Sequence, residues 1–323
     1  MPFSHHSHSG EFCMHASNTL EEMILTAIEL GFRSYALTEH MPRDQPEDLY
    51  PEEVAAQQTP FDLYRTFASY HATATQLSAI YSPRISLPIA FEADYIRPSS
   101  LDLIASLRKQ YRFDYIIGSV HHVHTIPIDF DLAMYQKAVH VCGGSEEKLF
   151  EDYFDAQYEM LIELKPAVVG HFDLIRLFSG WNKGKGLKAC GDSVWGKAVR
   201  NLQTVVSYGG LLELNSAALR KMWTTPYPGW DVAEAFRDLG GRFCLSDDAH
   251  KIDQVGLNYY KALEYVKLLG IDRLYYLERL SAGGTGADVL DECAVRSITV
   301  EDLEKERFWK LLRERDEARA GSA

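Results

Sequence analysis

An α/β fold built on a parallel sheet is the class this sequence predicts, and three observations carry it. Apolar strand-like runs alternate with stretches of helical periodicity from residue 20 to about residue 269. No compositional break long enough to serve as a linker interrupts them, and no repeat recurs at a fixed period. Almost every predicted strand ends in His, Asp or Glu. One domain over residues 1–323 is therefore expected, with the patterned part at about 1–270 and an extension at about 271–323.

The elements follow in order. The opening stretch HHSHSGEFCMH (5–15) places His6 and His8 two apart on a first strand, so both project to one face. LEEMILTAIELGFR (20–33) has apolar residues at helical spacing, Asn18 or Thr19 as its cap and Gly31 at its end. The strand SYALTEH follows, then a helix at about 61–81, the strand ISLPIAFEADYI, a helix at about 99–110 and the strand FDYIIGSVHHV. The second half continues with a helix at 145–165, AVVGHFDLI, a helix at 192–208, GLLELNS, a helix at 231–239, RFCLSDDAH and a helix at 255–269. Residues 41–60 and 179–192 read as long loops. The second loop is Gly- and Lys-rich but lacks the G-K-[ST] ending of a phosphate loop, and AGGTG at 282–286 is equally weak. The charged tail after about residue 300 reads as helical and peripheral.

Composition narrows the function. A net charge of −13 argues against nucleic acid or an anionic membrane as partner, since both require a basic surface. Five scattered cysteines (13, 142, 190, 244 and 293), with no C-x-x-C pair, suit reduced thiols, and no apolar run approaches a membrane span or a signal peptide. A cytoplasmic protein is expected. The sequence specifies no oligomeric state.

In a parallel barrel the C-terminal strand ends share one mouth, where such folds keep their active sites. His6, His8, His40, Glu92, the doublet His121–His122, His171, Asp248 and His250 would converge there. Imidazole and carboxylate are ligands of Zn, Mn and Fe, and this many exceeds the three or four of one catalytic zinc, so more than one ion is implied. His71 and His140 fall in or beside helices and read as structural or solvent-facing; His5 and His124 stay unassigned.

These motifs resemble the polymerase and histidinol phosphatase (PHP) superfamily, and within it the histidinol-phosphatases, most like the fungal form. HHSHSGEFCMH, LTEHMPR, FEADY, GSVHHV, GHFDLIR, LELNSAALRK and LSDDAH occur in the family's order, over about residues 1–270. The resemblance implies a distorted (β/α)7 TIM-like barrel with a metal site at the C-terminal ends of its strands. It implies two or three divalent ions (Zn, Mn or Fe) held by His6, His8, His15, His40, Glu92, His121, His171, Asp248 and His250. His121 is preferred to His122 because it directly follows GSV. The implied reaction is hydrolysis of a small phosphate ester, L-histidinol phosphate, in histidine biosynthesis; the alternatives are a phosphodiesterase or nuclease of the same superfamily, or a general phosphatase.

Metal-activated water would then attack phosphorus, with no Ser or Cys nucleophile, so Cys13 reads as packing or support for the ligands. Asp248 is the expected catalytic carboxylate, and His122 or Asp247 would protonate the leaving alcohol. Arg176, Arg220 and Arg43 are candidates to hold the phosphate, with Asn215 in the same motif as Arg220. Asp94, and by position Asp44, would accept the substrate's amine or imidazole.

Overall fold

The computed structural model describes residues 2–180, 185–280 and 288–320; the AGGTG stretch and residues 181–184 of the Gly/Lys loop lie outside the described residues. The chain opens with β1 (Phe3–Ser4), α1 (Leu20–Glu29), β2 (Ser34–Tyr35), α2 (Pro51–Ala55) and α3 (Pro60–Tyr81). It continues through β3 (Ala90–Asp94), α4 (Ser100–Gln110), β4 (Tyr115–Ser119), a hairpin of β5 (His122–Val123) and β6 (Ile126–Pro127), then α5 (Leu132–Val141), α6 (Glu146–Leu164) and β7 (Val168–Val169). The second half holds α7 (Asp192–Tyr208), β8 (Leu211–Asn215), α8 (Ala217–Arg220), α9 (Trp230–Asp238), β9 (Arg242–Ser246) and α10 (Tyr259–Leu268). The extension adds β10 (Arg273–Arg279), β11 (Val289–Leu290), β12 (Cys293–Thr299), α11 (Val300–Glu304) and α12 (Arg307–Ala320).

Local chemistry explains the boundaries. Thr19, not Asn18, caps α1: its hydroxyl accepts from Glu22 N–H while the Glu22 carboxylate accepts from Thr19 N–H. Thr59 and Asp62 repeat this box at α3, with Pro60 in the first turn, so the acidic segment at 41–60, which holds the short helix α2 and is not all loop, ends where the longer helix starts. β3, β4 and β8 are buried along their whole length, as expected of parallel strands covered on both faces.

Strands β3-β4-β7-β8-β9 form one parallel sheet, and β1-β2 a second parallel pair. Single parallel bridges join the two: Leu37 to Ile89 and His40 to Glu92 on one side, Ser7 to Ala249 on the other. On that second side His5 N–H donates to the Leu245 carbonyl at 3.2 Å and Asp248 N–H to the His6 carbonyl at 3.0 Å. The parallel pairing is thus continuous over five strands and sparse where β1-β2 meets them, while β10, β12 and β11 form a separate antiparallel sheet.

Two expectations are corrected. The strand FDYIIGSVHHV is broken after Ser119, because His121 N–H turns to the Asp94 carboxylate at 3.1 Å, away from any ladder, and the chain re-forms as the β5–β6 hairpin. The C-terminal tail is not peripheral. α12 buries Phe308, Trp309 and Leu312, with Phe308 edge-on to Phe32 and Tyr259, and the Tyr260 hydroxyl donates to the Trp309 carbonyl.

His5 ties the extension to the first strand. Its Nδ1 donates to the Leu245 carbonyl at 3.1 Å and its Nε2 accepts from Leu277 N–H at 3.0 Å, an arrangement only the neutral ring can make. Burial lowers its pKa from 6.5 to about 4. The unfolded chain therefore binds a proton that the folded chain refuses between those values. The stability this ring confers is complete above pH 6.5 and is lost as pH falls toward 4, amounting to about 3 kcal/mol. Urea midpoints measured from pH 7 to pH 4 should fall less steeply in His5→Gln, which cannot titrate, than in the parent chain. Identical slopes would show that His5 is not the group responsible.

Candidate metal centre

The fold brings the scattered polar residues to one end of the sheet. His6 and His8 follow β1 on extended chain and are buried, at 0% and 1% exposure. Beyond them the chain turns back at Gly10, where a Cβ would lie 2.6 Å from the Ser17 Cα, so only glycine allows the close approach that returns Cys13 and His15 toward the site. His40 follows β2, Glu92 lies within β3, His121 follows β4, His171 follows β7, and Asp248 and His250 follow β9.

Glu92 sits at the centre. Its Oε1 lies 3.0 Å from His171 Nε2 and 3.3 Å from His121 Nε2. Its Oε2 lies 2.9 Å from His40 Nδ1, 3.3 Å from His6 Nε2 and 3.5 Å from His8 Nε2. His6 and His8 bring their Nε2 atoms within 3.1 Å of each other, and His121 and His171 theirs within 3.2 Å. Asp248 Oδ1 is 3.6 Å from His8 Nε2.

This spacing fits shared ions. Neighbouring donors on a tetrahedral zinc, at bonds of about 2.1 Å, stand about 3.4 Å apart. Despite its close neighbours, Glu92 Oε2 is buried and makes no hydrogen bond of acceptable angle, and the same holds for His40 Nε2. Such orphaned atoms are costly unless something else binds them. Four overlapping donor groups form: His6–His8–Asp248, His6–Glu92–His171, His8–His40–Glu92 and Cys13–His15–His40–His250. Burial opposes charge on both carboxylates, yet the surrounding imidazoles hold Glu92 and Asp248 well below the usual range. Burial pushes His250 down to about 3 and His8 well below its ordinary value, whereas Glu92, working against burial, raises His6, His40 and His121.

Two residues not anticipated from sequence support this cluster. Glu213 of β8, fully buried, accepts from His6 Nδ1 at 3.2 Å, from His171 N–H, from Asn215 Nδ2 at 2.8 Å and from the Ser246 hydroxyl. Glu39 accepts from Ser9 N–H and Ser9 Oγ, both at 2.7 Å, and lies 3.6 Å from His8 Nδ1. The available signal was a carboxylate inside an apolar run, LLELN, and another directly before His40. Asp248 holds a left-handed backbone, φ 48°, an uncommon state for a non-glycine residue at which its carboxylate reaches both His8 and Asn215 Nδ2.

A cavity of about 520 Å³ opens over the cluster, walled by Arg220, Lys221, Tyr227, Tyr50, Asp129 and Phe130 among others. Several expected roles are corrected here. Asp94 does not face the cavity; it accepts from His121 N–H and lies 2.9 Å from His122 Nδ1. His122, fully buried, is turned to that carboxylate and is absent from the cavity wall, as is Asp247, whose carboxylate accepts from the Ser4 hydroxyl and Gly256 N–H. Asn215 spends its amide on Glu213 and Asp248. Arg176 lies behind the wall, paired with Asp173 at 2.8 Å and stacked on Trp223. Arg43 pairs with Glu53 and faces a smaller neighbouring pocket, and Asp44 lines neither. Arg220 does line the cavity, and donates to the carbonyls of Asp247 and Asp248 at 2.6 and 2.8 Å.

Comparison with known proteins gives this site a family. The PHP domain profile matches residues 4–217. A Schizosaccharomyces pombe protein named "Probable histidinol-phosphatase" is 45% identical over 303 residues, spanning 94% of this chain and 96% of that one. This chain belongs to the PHP-domain histidinol-phosphatase family. A second family member, the Saccharomyces cerevisiae histidinol-phosphatase, is 34% identical across 85% of this chain and 91% of its own. The fold is shared with a histidinol phosphate phosphatase from Lactococcus lactis, solved with Zn, L-histidinol and phosphate, at a TM-score of 0.62 and 20% identity, covering 85% of this chain and 95% of that one. Family membership agrees with the donor set, which suits divalent metal. Among the described residues no helix is long and apolar enough to cross a membrane.

Proposed function

We propose that this chain hydrolyses L-histidinol phosphate to L-histidinol and phosphate, as a cytoplasmic enzyme of histidine biosynthesis that uses two or three ions of Zn, Mn or Fe. The observation that carries the reading is the Glu92-centred donor cluster at the floor of a cavity with Arg220 and Lys221 in its wall. The proposed ligands are His6, His8, His15, His40, Glu92, His121, His171, Asp248 and His250. Contacts of His121 with Glu92 and His171, against the turn of His122 toward Asp94, favour His121 as the ligand. The bridges that join the two sheets at both edges support a distorted seven-stranded barrel, and the packing of α12 and His5 supports one folded unit. Free buried thiols suit a reducing compartment.

Divalent ions in such a site lower the pKa of water and neutralise phosphoryl oxygens. The protein's own contribution is positional. Arg220, fixed by the two carbonyls it binds, sets positive charge beside the Asp248 loop, where charge develops on the phosphoryl group. Asp248 is the catalytic carboxylate of this reading, held among the imidazoles. Asp129 takes the role first given to Asp94. Its Oδ1 is buried without a hydrogen-bond partner in the cavity wall beside Phe130, an acceptor for the substrate's amine or imidazolium. Cys13 supports the ligands in this reading: its Sγ lies 3.2 Å from His15 Nε2, and attack by water needs no thiolate.

The test compares phosphate release from L-histidinol phosphate, p-nitrophenyl phosphate and a short oligonucleotide at equal metal loading. Histidinol phosphate should be cleaved much faster than either of the others, and the purified chain should hold more than one metal equivalent. Asp129→Asn should raise KM for histidinol phosphate about tenfold, the loss of one charged hydrogen bond, and leave p-nitrophenyl phosphate unchanged. Equal rates on the first two substrates would make this a general phosphatase, and preference for the oligonucleotide would favour the nuclease reading.

A further inference from the structure

We propose that His124, Cys142 and Asp152 form a second metal site, outside the catalytic cluster, that takes a zinc-like divalent ion and clamps the β5–β6 hairpin onto α5 and α6. The three residues come from three separate segments: the turn of the hairpin, the C-cap of α5 and the body of α6. One donor atom from each lies within 4.8 Å of the others, and His124 Nε2 is 2.7 Å from Asp152 Oδ2. A sulfur, a nitrogen and an oxygen donor together select Zn²⁺ over Mg²⁺ or Ca²⁺, which prefer oxygen alone. Thiolate and carboxylate would neutralise the ion's two charges, and exposed His124 leaves room for a water as fourth ligand.

The competing account is a hydrogen-bonded trio in which thiol and imidazole both donate to Asp152. That account leaves unexplained why the hairpin turn is built from His124 and Thr125, both left-handed at φ 49° and 65°, where Asn and Gly are the usual occupants. The strained turn delivers the imidazole to Asp152, as a ligand position would require. Cys142 is buried, and loading the site would release its thiol proton to solvent. The clamp has a purpose in the fold. The hairpin begins at His122, which braces Asp94, and leads into Asp129 and Phe130 of the cavity wall.

The test uses the full chain, loaded with zinc and dialysed. Cys142→Ser and Asp152→Asn should each retain one zinc equivalent fewer than the parent chain, with phosphate release changed less than about twofold. With Co²⁺ in place of zinc, the parent and Cys13→Ser should both show a near-ultraviolet sulfur-to-cobalt charge-transfer band, and Cys142→Ser should lack it. Asp152→Asn keeps the side-chain volume and the thiol, so it reports even if Cys142→Ser fails to fold. Equal zinc in the parent and Asp152→Asn, or a cobalt band that is lost in Cys13→Ser and kept in Cys142→Ser, would overturn the site.

Discussion

Glu92→Gln is expected to strip the centre of at least one metal ion and to slow phosphate release by more than the ~100-fold that loss of a merely supporting residue costs. The reason is its position. One carboxylate stands within 3.5 Å of ring nitrogens from five histidines, which follow β1, β2, β4 and β7, and it is shared by two of the overlapping donor groups. The amide has nearly the same shape but carries no negative charge, and its NH2 group would point a donor at imidazoles that must themselves stay neutral to bind metal. Elemental analysis and turnover should fall together, and added metal should rescue turnover only in part. A Glu92→Gln chain with full metal content and activity within tenfold of the parent would refute the central role of this carboxylate.

The parts of the fold and site that were legible in sequence are those fixed by short-range pattern. His6–x–His8 and Asp248–x–His250 share a face because extended chain alternates, and His40, Glu92 and His171 stand out because polar residues interrupt apolar strands. What the sequence did not disclose depends on which way a side chain turns. His121 and His122 are adjacent and chemically identical, and Asp94 lies beside Nδ1 of both rings; they separate because His121 turns its Nε2 to Glu92 and His171. The same reach places Asp94 behind the cluster and leaves Asp129, just past the β5–β6 hairpin whose first strand the sequence pattern joins to β4, to face the cavity. Arg176 and Arg220 follow strand ends in similar motifs, yet Asp173 and Trp223 draw one behind the wall while the Asp247 and Asp248 carbonyls hold the other at its edge. The frequent charges of α12 point to a peripheral helix, whereas among its described residues three buried apolar side chains, Phe308, Trp309 and Leu312, anchor it.

Glu213→Gln is expected to weaken metal retention by about 10- to 100-fold and to destabilise the chain by about 3–5 kcal/mol, although Glu213 is not a proposed ligand. Its carboxylate is surrounded by donors: the His6 ring, the His171 backbone, the Asn215 amide and the Ser246 hydroxyl. An amide replaces one acceptor oxygen with a donor, so at least one of these buried groups would meet another donor, and nothing in a fully buried site can relieve it with water. His6 would lose the acceptor that fixes its Nδ1–H and frees Nε2 for metal, which is how the substitution reaches the ion. Burial works against the charge of Glu213, and the imidazoles, His6 foremost, bring its pKa below the ordinary carboxylate value, so the negative charge is present whenever the site is assembled. Two measurements separate the effects: the urea midpoint of metal-free protein reads the buried network, and metal affinity of the folded chain reads the orientation of His6. Loss of stability with unchanged metal affinity would confine Glu213 to a structural role, and no change in either would show that its four partners find other acceptors.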